Sequence, residues 1–146
     1  MKTSLLNFGF ALVLVSCATT KNLVGHAGKD NFIVDCKDEI KSRWNQLLLN
    51  NNLRETIAQL DILPENDTLN KRRYYYLLGK SANDSIKMAH RLIRRGGKFY
   101  FDQKDYPLTV ICHGCTDAYP SLSFDTWGWS CESLNTECKK SVVVSR

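Results

Sequence analysis

Residues 68–97 read TLNKRRYYYLLGKSANDSIKMAHRLIRRGG, and whether this stretch winds into helices or extends into strands decides the fold. Leu69, Tyr76 and Leu77 recur at a spacing that predicts a helix from about Thr68 to Gly79. Ser81 followed by Asp84 has the form of a capping box, opening a further helix in which Ala82, Ile86, Ala89 and Ile93 share a face and Gly96-Gly97 is the stop. The stretch also gathers charge. Lys71, Arg72, Arg73, Lys80, Lys87, Arg91, Arg94, Arg95 and Lys98 fall together with Asp84 as the only acid among them, within a chain of net charge +5. Such a segment attracts anions: phosphate-rich partners, anionic head groups or acidic protein surfaces.

Upstream, Asp35 reads as an N-cap with Asp38 and Glu39 in the first turn of a helix carrying Cys36, Ile40, Trp44, Leu47 and Leu48. Asn50-Asn51-Asn52 breaks that stripe. Asn52 and Glu55 then suggest a cap for a second helix with Leu53, Ile57, Leu60 and Leu63, ended by Pro64. Downstream the period changes. Phe99 and Phe101 alternate with Tyr100, Asp105-Tyr106-Pro107 interrupts, and Leu108 to Cys112 is rich in β-branched residues, which predicts a hairpin. Trp127, Trp129 and Cys131 suggest a third strand, and Val142 to Val144 a short last one. The expected fold is therefore α+β: about four short N-terminal helices followed by a small antiparallel sheet stapled by disulfides, forming one globular domain over residues 34–146.

The first residues carry a different signal. Lys2, the apolar block from Leu5 to Val15 and a small residue near position 16 describe an export leader too short to span a bilayer as a helix. Leu14-Val15-Ser16-Cys17 resembles the lipobox of bacterial lipoproteins. That resemblance covers the leader alone and implies removal of residues 1–16, palmitate-type acylation at Cys17, and a mature protein held by lipid on the membrane. Ala18 after the cysteine looks like the outer-membrane sorting pattern, which implies the periplasmic side of the outer membrane. An ordinary secretory leader is the alternative. Residues 17–33, with Gly25 and Gly28 and little apolar periodicity, read as a lipidated N-terminus and flexible tether.

Of six cysteines, Cys17 belongs to this leader region. Cys36, Cys112, Cys115, Cys131 and Cys138 are left as disulfide candidates in an oxidising compartment, and five cannot all pair within one chain. Cys112-His113-Gly114-Cys115 has the spacing of a redox pair, with His113 placed to tune a thiolate. It ends a strand, however, and does not open a helix. Zinc fits poorly, because Cys131 and Cys138 are too far apart in sequence for a ribbon site. Ser121, Ser123, Asp117 and Asp125 near His113 form no nucleophile elbow, and the chain has no phosphate-cradling loop. His26 lies in the expected tether and His90 on a helix face.

No metal or cofactor is expected. Asn66-Asp67-Thr68 and Asn83-Asp84-Ser85 match the N-glycosylation pattern, which would matter in a eukaryotic secreted protein. The function expected from sequence is a non-enzymatic binding module of the envelope, directed at an envelope protein, a toxin or a cell-wall polymer and not at nucleic acid. Its contact residues would be Lys87, Arg91, Arg94 and Arg95 on the fourth helix, with Trp127 and Trp129. The alternatives are an exported thiol-disulfide oxidoreductase using Cys112 and Cys115, or a eukaryotic secreted effector or defence protein.

Overall fold

The computed structural model describes residues 22–67, 71–104, 108–123, 128–134 and 138–144. In chain order these form β1 (Leu23–Ala27), β2 (Phe32–Val34), α1 (Lys37–Asn50), β3 (Ile57–Asp67), β4 (Arg72–Ser81), β5 (Ile86–Arg95), β6 (Lys98–Phe101), β7 (Leu108–His113), β8 (Tyr119–Ser123), β9 (Gly128–Glu132) and β10 (Lys139–Val144). The fold is mostly β with a single helix among the described residues, which corrects the expectation of four helices.

The first helix is where the apolar stripe and the acidic first turn put it. Ile40, Trp44 and Leu48 are its buried face, Asp38 and Glu39 sit in its first turn, and Asn52 leaves the helix in the left-handed region at φ 61°. Cys36, not Asp35, occupies the N-cap; the Asp35 carboxylate instead accepts from His26 Nδ1 at 2.8 Å.

The three other expected helices are the long antiparallel strands β3, β4 and β5. The reason lies in burial. β4 and β5 are covered on both faces, so inward residues fall at every position and an extended strand reads as an unbroken apolar run that periodicity cannot tell from a helix. Tyr75, Leu77, Met88 and Leu92 point to one core, while Tyr76, Leu78 and Ala89 point to the other. The apparent capping box is a hairpin turn: Asn83 Oδ1 accepts from the Ser81 hydroxyl at 2.8 Å and the Ser85 hydroxyl at 2.7 Å, and Asp84 sits at φ 56°. Cap and turn use the same short polar residues. Gly96 and Gly97, both at positive φ, form the two-residue turn into β6, the backbone twist that suits a tight hairpin. Pro64 is tolerated because β3 pairs with β4 along one side only among the described strands.

β5 organises the sheet. One edge pairs with β4; the other pairs with β7 along Ile86–His90 and with β6 along Leu92–Arg95. β10 extends the sheet beyond β7, and β1 and β2 extend it beyond β6. β2 comes back beside β3, leaving the antiparallel sheet nearly closed. Residues 22–33, expected as tether, are thus largely sheet. β6 and β7 do not pair with each other as the expected hairpin required; each pairs with β5.

One core lies between the sheet and α1, where Trp44, Ile40, Leu48, Phe99 and Met88 meet. Each such side chain contributes about 1.5–3 kcal/mol by burial. Trp44 lies directly on Gly79: a Cβ there would stand 2.6 Å from the indole ring. The second core lies between the sheet and the β8–β9 hairpin, which contributes Leu122 and Trp129 over Tyr76, Ala89 and Val110. Two disulfides fasten that hairpin region, Cys112–Cys131 and Cys115–Cys138.

Candidate functional surface

The sequence-selected basic residues do not share a face, because a strand alternates sides where a helix would have aligned them. Lys87 is buried and donates to the carbonyl oxygens of Thr116 and Asp84. Arg91 lies with its Nε 3.5 Å from the carboxylate of Asp102, which is wholly buried. Arg94 turns toward the α1 side, its guanidinium over the rings of Tyr75 and Phe99 and donating to Tyr75 Oη at 3.1 Å. Arg95 is exposed like Arg94 but faces the other way. Trp129 is also corrected as a surface residue: it is buried edge-on against Tyr76. Trp127 and Cys17 lie outside the described residues.

What the fold assembles instead is a pair of cross-strand rows on the sheet face opposite α1. Directly paired residues share a face and stand about 4.8 Å apart from strand to strand. Ile93 pairs with Tyr100 and Tyr100 with Leu23, giving a partly exposed apolar row across β5, β6 and β1. Tyr74 lies on the same face of the neighbouring β4, beyond the last residues of the β4–β5 ladder. Two residues further along, Arg95 pairs with Lys98 and Lys98 with His26, while Arg72 lies on the same face of the neighbouring β4 as Tyr74. Arg95 and Lys98, with His26 at the β1 end, thus lie beside a ring-bearing row. Acids mark the borders of this surface: Asp67 and Glu65 oppose Arg72 and Tyr74 from β3, and Asp35 holds His26. The β8–β9 hairpin covers the neighbouring Tyr76–Ala89–Val110 region, with Tyr74 at its margin.

Burial pushes the Tyr74 phenol well above its ordinary value, helped by Glu65 and Asp67, so the ring stays neutral. Tyr76 is raised in the same direction by burial and by its hydrogen bond to Tyr119 Oη at 2.9 Å. These rows are not apparent from the sequence read as helices. Their signal was the alternation Tyr74, Arg72 and Ile93, Arg95 with Lys98, Tyr100, legible only once the strands are paired.

The Cys112-His113-Gly114-Cys115 motif is held apart by its own bridges, since each sulfur is bonded to a different late cysteine. His113 is lowered below its ordinary value by burial and by Lys139, paired with it across β7 and β10. That disfavors the imidazolium a thiolate would need. Cys115, Asp117 and Cys138 converge, but both sulfurs belong to one disulfide and hold no free thiolate for a metal. Cys36 is disulfide-bonded as well. His90 lies buried between β7 and the β6 end, bonded through Nδ1 to Thr109 Oγ1 at 2.8 Å. Of the two glycosylation sequences, Asn83 sits exposed in the β4–β5 turn and Asn66 is exposed beside Arg73, which donates to it at 3.2 Å.

No protein-family model, no curated protein and no solved structure matches the chain.

Proposed function

We propose that the protein is an exported, non-enzymatic binding module for an anionic macromolecule of the cell envelope or extracellular space. The observation that carries this reading is the direct opposition of Arg95 and Lys98 within the exposed basic row. Like charges facing each other across a ladder cost stability, and an anionic partner is what would offset them. Export is supported by the leader-like first residues and by the two disulfides, which persist in oxidising compartments.

Cys17 divides the two modes of export: acylation there gives a lipid-anchored protein, and a leader cut without acylation gives a secreted one. Intact mass of the natively produced protein separates them through acyl chains or their absence. Binding is tested by titrating the processed protein with a soluble polyanion at two ionic strengths. Affinity that falls steeply with salt supports the module; no binding at low salt contradicts it.

A further inference from the structure

Charge alone does not account for the sheet face opposite α1, because the cationic row is laid beside a row of partly exposed apolar side chains. Ile93, Tyr100 and Leu23 cross β5, β6 and β1 in one line and Arg95, Lys98 and His26 cross the same strands in the next, with Tyr74 and Arg72 on the same face of the neighbouring β4. A small inorganic anion would use the second row and gain nothing from the first. A chain of rings bearing anionic groups along one side would use both.

The geometry points to an acidic polysaccharide, a linear polymer of uronate-type sugars, lying across β4, β5, β6 and β1. This rests on the reading of the protein as an anion-binding module and names the partner class of that same face. Three features of the surface fit it. The half-buried Tyr100 supplies a ring on which the C–H face of a pyranose can pack, with a phenol for hydrogen bonding. Arg72 and Arg95 have planar forks that take a carboxylate in bidentate fashion, and Lys98 adds a point charge. The sheet spaces these groups at about 4.8 Å from strand to strand, so the paired rows on β5, β6 and β1 span about 10 Å of polymer. Glu65, exposed on β3, opposes Tyr74 and repels a polyanion there, which sets β3 as the limit of the track. Exchange of the rings for bases would make the same surface suit a single-stranded nucleic acid, a polymer an exported protein meets less readily.

The test uses the processed full chain with four probes: a polygalacturonate oligomer, inorganic polyphosphate, neutral dextran and a single-stranded oligonucleotide. Polygalacturonate is expected to bind and dextran not to. Tyr100→Leu, which keeps the apolar volume and removes the ring, is expected to weaken polygalacturonate by about five- to tenfold while leaving polyphosphate within about twofold. Arg95→Gln with Lys98→Gln is expected to weaken both. The inference is overturned if Tyr100→Leu leaves polygalacturonate unchanged while circular dichroism shows both proteins folded, or if the oligonucleotide binds more tightly than polygalacturonate. If neither charged polymer binds the wild-type chain, the anion-binding reading beneath it fails as well.

Discussion

Arg95 and Lys98 stand directly opposite each other across the β5–β6 hairpin, two cations joined by the Gly96-Gly97 turn. A fold selected for stability alone would place an acid at one of these positions. Lys98→Glu is therefore expected to stabilise the protein by about 0.2–1 kcal/mol while weakening polyanion binding. Urea denaturation and a binding titration on the same sample check both signs. Loss of stability together with unchanged binding would show that the pair has no functional role.

His90 gives the protein a defined acid sensitivity. It is fully buried between Thr109 Oγ1 and the Asp102 carbonyl, with the Phe101 ring against it, and burial lowers its pKa from 6.5 to about 4. Between these values the unfolded chain takes up a proton that the folded chain refuses. Stability is therefore full above the unfolded pKa, declines as pH falls toward the folded pKa, and levels off below it. The loss across that window is roughly 3 kcal/mol. His90→Gln should flatten this part of the profile, measured by urea midpoints from pH 7 to pH 4; a parallel profile for the variant would contradict the assignment.

Gly79 is required by a close approach and not by its backbone angle. The indole of Trp44 occupies the place of a side chain, so Gly79→Ala must displace a buried ring of α1. The expected cost is about 1–3 kcal/mol, read as a lower melting midpoint with reduced near-ultraviolet tryptophan signal. A variant as stable as wild type would show that α1 does not pack here.

The β8–β9 hairpin depends on its bridges. Cys112–Cys131 closes 19 residues and Cys115–Cys138 closes 23, and loops of this length confer roughly 3 kcal/mol each by restricting the unfolded chain. Reduction is expected to expose Trp129 and red-shift its fluorescence. Peptide mapping of the oxidised protein should recover these two pairings; a Cys112–Cys115 bridge would instead revive thiol-disulfide exchange as an activity.

The limits of the sequence follow from where each signal originates. α1 was legible because one buried face and an acidic first turn are local features of residues 37–50. β4 and β5 were not, because Tyr74 to Leu78 and Ile86 to Leu92 are nearly all inward on a sheet covered twice, and Ser81 to Ser85 serves a turn as readily as a cap. Of the late strands, β6, β7, β9 and β10 announced themselves through β-branched and aromatic alternation, whereas β8 (Tyr119–Ser123), with Pro120 and two serines, did not. The candidate surface was half visible: the basic segment stood out, but assigning it to a helix united Lys87, Arg91, Arg94 and Arg95, which the sheet divides between two faces. Lys98, Tyr100 and His26 join Arg95 and Ile93 only through pairings between distant parts of the chain.

The central claim is that the paired rows on β5, β6 and β1, with the neighbouring β4, form the binding face. Amide chemical-shift mapping of the labelled processed protein with a polygalacturonate oligomer tests it most directly. The account expects shifts concentrated at Tyr74, Ile93, Arg95, Lys98 and Tyr100, with Ser121, Leu122 and Trp129 of the β8–β9 hairpin and Ile40 and Trp44 of α1 unmoved. Shifts centred on the β8–β9 hairpin or on α1, or none at saturating polymer, would contradict it.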